Sequence, residues 1–169
     1  MRAKLCLLLC SITLSLASAQ SPSFDQLFDN TPESDDVIRF ELSGIFFNLT
    51  ASNDDGDDHR MQGIKSIKFL GADGHSLISR SAVNKMRRGL RAESFEPLTE
   101  IRSDGDYIQF MIKEKGNIIT DFVTVIEGKE GVWMLAIEGT FDLDDVRNLD
   151  IDMDGMDKIK KATKDIPRA

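Results

Sequence analysis

Cysteine is nearly missing from this chain of 169 residues: there are two, Cys6 and Cys10, both within the first ten positions. If that leader is removed, no thiol remains, which excludes disulfides, thiolate metal ligands and cysteine nucleophiles together. Histidine is almost as scarce. His59 and His75 are the only two, too few for a zinc site without further nitrogen or sulfur ligands. No Gly-x-Ser-x-Gly elbow accompanies either histidine, so serine-hydrolase chemistry has no support. The glycine clusters at Gly71–Gly74 and Gly128–Gly131 lack the lysine-hydroxyl ending of a phosphate cradle and read as turns. Positive charge is also in deficit, with 21 Lys and Arg against 29 Asp and Glu and a net charge of −8. Such a surface argues against nucleic acid as a partner. A long membrane-spanning run is missing too: the apolar stretch Leu5–Leu16 is diluted by Thr13 and Ser15 and is short for ~30 Å of hydrocarbon.

What the first residues do contain is the order of a secretory signal. Arg2 and Lys4 precede the apolar stretch, and Ala17-Ser18-Ala19 follows it. We expect residues 1–19 to be a signal peptide, cleaved before Gln20, and residues 20–169 to form one exported domain. Leu9 before Cys10 is not the small residue that an acylated cysteine needs, so no lipid anchor is expected. The product should be periplasmic or extracellular, with no transmembrane segment in the mature chain.

The hydrophobic periodicity alternates between helix and strand. Phe24, Leu27 and Phe28 share one helical face behind Ser23, a candidate N-cap with Gln26 three residues on. Pro32 should close that helix. Ile38, Phe40 and Leu42 alternate with Arg39 and Glu41 as a strand from Val37 to Leu42. The spacing of Ile45, Phe46 and Leu49 predicts a helix over Ser43–Ser52. A strand follows over Ile64–Leu70, with Ile67 and Phe69 inward, Ser66 and Lys68 outward, and Gly71 and Gly74 forming its closing turn. Ser79–Arg91 carries an apolar stripe of Ala82, Val83, Met86 and Leu90. Strands at Leu98–Arg102, Tyr107–Lys113, Ile118–Glu127 and Val132–Glu138 are separated by short glycine turns, which demand antiparallel neighbours. The last is apolar on both sides and should be central. Short helices are expected from Asp142 and from Gly155 to about Lys164. The fold class is therefore α+β: a mostly antiparallel sheet of about five or six strands with helices packed on one face.

These features resemble an exported bacterial family, the domain of unknown function 4252. The resemblance rests on the Phe24–Phe28 helix, the unit from Val37, and the strand entry Gly63-Ile64-Lys65-Ser66-Ile67. Its strongest part is Leu135-Ala136-Ile137-Glu138-Gly139-Thr140-Phe141-Asp142-Leu143-Asp144-Asp145-Val146, and Gly155-Met156-Asp157-Lys158-Ile159 is similar to the family's closing helix. Every matched residue is a core or turn residue. The resemblance implies the fold and export, and it supplies no catalytic residue and no cofactor.

Three groups of residues are candidates for function. Asp150, Asp152 and Asp154 alternate before Gly155 as in a calcium loop, but Lys161 stands where the closing bidentate Glu belongs, and an acidic connector is the better reading. The run Asn53–Asp58, with His59 beside it, has the same ambiguity and reads as a solvated loop. Arg87, Arg88 and Arg91 give the Ser79–Arg91 helix a cationic face on an acidic protein, suited to an acidic partner or anionic headgroups. Trp133 and Tyr107 fall within strand patterns and are expected to fill the sheet. The functional expectation is a noncatalytic envelope or secreted domain that binds an unidentified protein partner; the alternatives are a calcium-binding accessory domain or a carboxylate-dependent enzyme.

Overall fold

The computed structural model describes residues 21–44, 63–103, 105–116 and 118–142. The expected signal peptide, the part from residue 45 onward of the helix expected over Ser43–Ser52, the acidic run at 53–58 and the helices expected beyond Asp142 lie outside the described residues. So do Asp150, Asp152, Asp154 and His59.

Chain order is α1 (Pro22–Asn30), β1 (Val37–Ser43), β2 (Ile64–Asp73), α2 (Arg80–Ala92), β3 (Glu96–Ser103), β4 (Asp106–Lys115), β5 (Ile118–Glu127) and β6 (Gly131–Phe141). The strands form one antiparallel sheet in the order β1-β2-β6-β5-β4-β3. The α+β class is as expected. Consecutive strands β3 to β6 pair as hairpin neighbours, and β6 then receives β2 on its far side, so the doubly apolar strand is interior. Pro97 lies in β3, an edge strand, where a missing N–H costs no ladder bond.

Three local expectations are corrected. Ser23 is not the cap of α1: Ser21 is the N-cap residue and Pro22 begins the helix, because proline's fixed φ suits a first turn whose N–H has no partner. Ser43 closes β1, and the helical backbone expected from Ser43 begins one residue later, at Gly44. Gly71 does not turn β2, which runs on to Asp73 with Gly71 paired to Ile38 and Trp133. A Cβ on Gly71 would lie 3.0 Å from the Trp133 ring, so the small residue makes room for the indole. Gly74, at φ 77°, makes the turn.

Both sheet faces are apolar, and each has its own core. One cluster contains Phe69, Phe110, Phe122, Ile126, Leu135 and Ile137; Phe40 stacks on Phe69 at 5.4 Å and Phe110 packs against Phe122 at 5.9 Å. The other gathers Phe24 and Phe28 of α1 and Val83, Met86 and Leu90 of α2 with strand residues of the opposite parity, among them Leu70, Val123 and Met134. Each such side chain taken from water stabilises the fold by about 1.5–3 kcal/mol. Ser66 and Lys68 therefore do not face solvent as their alternation suggests. They share the face of Leu70 and Ala72, and the Lys68 side chain is only 14 % exposed.

The ladders on both sides of β6 shift register beside Gly139. A Cβ there would sit 2.2 Å from the Gly63 carbonyl oxygen, and that atom is backbone, which has little freedom to move. Gly139→Ala should lower unfolding free energy by about 1–3 kcal/mol in chemical denaturation. Thr140→Ala, at an exposed neighbour, should stay within about 0.5 kcal/mol of the native chain.

Candidate functional site

The three arginines singled out in α2 separate. Arg88 and Arg91 are exposed, while Arg87 is buried at 8 % exposure. Its Nη1 donates to Glu127 Oε2 of β5 at 2.9 Å, and its guanidinium carbon lies 4.9 Å from the centre of the Tyr107 ring. Arg102 lies 4.4 Å from that same ring. Burial and a hydrogen bond to Glu100 push the Tyr107 phenol above its ordinary pKa, against the pull of the two arginines. Arg87 thus ties α2 to the sheet. His75 Nε2 donates to the Gly128 carbonyl oxygen at 2.9 Å, a loop-to-turn contact. Trp133 is 5 % exposed within the Phe69 cluster.

At the other end of the same face, polar residues gather around a small cleft. Asp121 of β5 and Glu138 of β6 are direct cross-strand partners, both pointing with Val123 and Ala136 toward the helical cluster. The cleft has a volume of about 20 Å³ and is lined by Ser21, Asp25, Ser66, Lys68, Asp121 and Glu138. Lys68 Nζ is 2.7 Å from Asp25 Oδ1 and 3.7 Å from Glu41 Oε1. Desolvation works against the Lys68 ammonium, but the Asp25 hydrogen bond and charge, with Glu41 and Asp29, outweigh it and raise its pKa.

Asp121 is 3 % exposed. Burial raises its carboxyl pKa, only partly offset by the Thr120 hydroxyl, which donates to Oδ2 at 2.8 Å, and by the charges of Lys113 and Lys65. Burial likewise raises Glu138, with Lys65 opposing at 3.9 Å and Asp121 reinforcing. Chemically this is a pair of reluctant carboxylates beside a lysine already engaged by Asp25. Among the described residues no three His, Asp or Glu converge in a way that would hold a metal ion.

The helices define a second concavity. Ser21 gives α1 no side-chain cap; instead Glu93, at the C-terminal end of α2, accepts from the Ser23 backbone N–H at 2.9 Å and from its hydroxyl at 2.5 Å. A carboxylate from a distant element thus satisfies a free donor of the first turn and complements the helix dipole. The contact is tight because Gly89 is small: a Cβ there would fall 1.8 Å from Ser23 Oγ. Beside this crossing, and lined in part by Ser23 and Gly89, lies a groove of about 500 Å³, open to solvent, whose walls include Gln26, Leu27 and Asn30 of α1 and Lys85, Met86 and Arg88 of α2. Among the described residues, Lys85 and Arg88 make no ion pair. Arg88 and Lys85 are legible in the sequence as cations of one helix, whereas the α1 wall and the Asp121–Glu138 pair are not, since both depend on contacts between distant segments.

These features describe an α+β domain in which a doubly buried antiparallel sheet carries two pinned helices, with a groove between them. The chain belongs to the family described as Domain of unknown function (DUF4252), whose model matches residues 28–149. The match begins inside α1 and covers the whole sheet. No curated protein and no solved structure matches it.

Two outcomes follow for the buried charges. Arg87→Ala leaves Glu127, itself 16 % exposed, without its cation, and should cost about 3 kcal/mol, the lower end of what breaking a buried pair costs, measured by denaturant unfolding. The acids carry the opposite sign from a salt-bridged carboxylate. Their folded pKa values lie above the unfolded ones, so the ionised forms oppose folding, and stability rises as pH falls from neutral through those raised values. Asp121→Asn should raise Tm at pH 7, and the gain over the native chain should shrink to nothing as the pH approaches the ordinary carboxylate range, about 4.

Proposed function

We propose that this chain is an exported, noncatalytic binding domain of the cell envelope or secreted space, and that it docks a partner in the groove between α1 and α2. The observation carrying this reading is the groove itself: an open concavity between two helices whose relative placement is fixed by the Glu93–Ser23 contacts and the Arg87–Glu127 pair. A preorganised surface spends little of its binding free energy on ordering. Export is supported by Arg2, Lys4, the Leu5–Leu16 run and Ala17-Ser18-Ala19.

The carboxylate cleft favours an enzyme less. With room for only about 20 Å³, it falls far below the ~300–1,000 Å³ of pockets that hold organic substrates, and Lys68 and Asp25 line it already engaged in their own ion pair. Calcium binding through Asp150, Asp152 and Asp154 draws no support from the groove.

The exported chain has no cysteine after position 19, so single cysteines can be placed at will. Gln26→Cys on the groove wall and Lys115→Cys on β4, both at exposed positions, would carry a photo-cross-linker in cells. Adducts to one defined partner from position 26 and none from position 115 are expected, with the label recovered outside the cytoplasm. Equal labelling from both positions, or none from 26, removes the groove as the docking site.

A further inference from the structure

We infer that the groove's partner is an acidic peptide segment, recognised by Lys85 and Arg88 through two carboxylates about one helical turn apart; the inference rests on the groove being the docking site. The charge distribution carries it. The chain as a whole has eight more acidic than basic side chains, yet α2 holds five cations and no acid from Arg80 through Ala92. Arg87 is consumed by Glu127. Lys85 and Arg88 remain exposed on the groove wall, three residues apart and so on one face, about 5–6 Å between their Cβ atoms.

The facing wall is neutral and hydrogen-bonding. Gln26 and Asn30 stand one turn apart on α1. Asn30 Nδ2 is used on the Gln26 carbonyl at 2.6 Å, whereas the Gln26 side chain makes no hydrogen bond among the described residues. One wall therefore offers two cations and the other an amide, with Leu27 and Met86 between them. A peptide placing carboxylates at i and i+3 or i+4 of a helix, or at i and i+2 of an extended strand about 6.6 Å apart, meets both cations while its backbone or polar side chains reach the amide.

A lipid surface fits these facts less well. Interfacial helices bind by presenting an apolar face, but Val83, Met86 and Leu90 are at most 2 % exposed, and the exposed large hydrophobic residue among those described is Ile118, at the start of β5. A concave wall also meets a planar bilayer poorly. Nucleic acid needs many phosphate contacts, and the groove supplies two cations.

The test uses the full exported chain with defined probes: a labelled peptide bearing two Glu four residues apart in an Ala-Gln background, its Gln twin, and vesicles containing about 30 % anionic lipid, the fraction chosen to give a strongly negative surface. The Glu peptide should bind about two- to thirtyfold more tightly than the Gln twin, which is the range two exposed charge pairs supply, and less tightly as salt is raised. K85E/R88E should lose that preference with its thermal melt unchanged, while K115E, on an exposed β4 residue, should keep it. Equal binding of the two peptides, both lost on K85E/R88E, overturns the acidic partner but leaves the groove. Binding that K85E/R88E does not alter overturns the groove as well, and binding to vesicles with neither peptide bound overturns the peptide in favour of lipid.

Discussion

The architecture depends on β6 being covered above and below. It lies between β2 and β5, and from Val132 to Ile137 every side chain is buried. Leu135 and Ile137 belong to one core, Val132, Met134 and Ala136 to the other. A strand that is oily on both faces cannot sit at a solvent-facing surface of a sheet. The chain is thereby committed to two layers of cover, and any charged residue in phase with those faces must find a partner or lie near an end.

That constraint explains where the polar residues of the helical face are. Along β5 the side chains of one parity are Asp121, Val123, Val125 and Glu127. The valines occupy the middle and the acids the two ends. Glu127 meets Arg87 of α2, and at the far end Lys68 of β2 meets Asp25 of α1. Each helix is therefore fastened by an ion pair to the sheet, at opposite ends of one apolar patch. Glu93 then joins the end of α2 to the start of α1. The groove is what remains where two helices held at fixed points and brought together at Gly89 cannot remain in contact along their length.

Most of the elements were legible in the sequence because period-two and period-3.6 patterns are local. β1 and β4 to β6, and α2 with its Ser79 cap accepting from the Ala82 N–H at 3.2 Å, follow from residues within a few positions of one another. The errors share one cause. Gly71 reads as a turn in the sequence because nothing nearby reveals that Trp133, on another strand, needs the space. Lys68 reads as solvent-facing because a buried lysine differs from an exposed one only through a partner, Asp25, that is distant in sequence. Arg87 is indistinguishable from Arg88 and Arg91 in the sequence for the same reason. Its position three residues from Leu90 and one from Met86 placed it at the border of the apolar stripe, and only the register of β5 decides that Glu127 is there to receive it. The signal for Asp121 was present, as an acid in phase with Val123 and Val125, but periodicity alone cannot separate such a residue from the end of a strand.

Asp121 is the residue that the folding constraint does not explain. It is more buried than Asp25 or Glu127, its ring of neighbours includes the like charge of Glu138, and its one short hydrogen bond comes from the adjacent Thr120. An Asn of the same shape would accept that bond without the desolvation penalty of a carboxylate. Packing therefore gives no reason for an acid at this position, and the cost of keeping one grows with pH. Proteins that hold such groups commonly do so at functional sites. The cleft is too small for an organic substrate, however, and Asp121 lies on the face that carries α1 and α2. Its carboxyl therefore lies in the same cleft as the Lys68–Asp25 pair that fastens α1 to the sheet, opposed there by its own burial and by the like charge of Glu138.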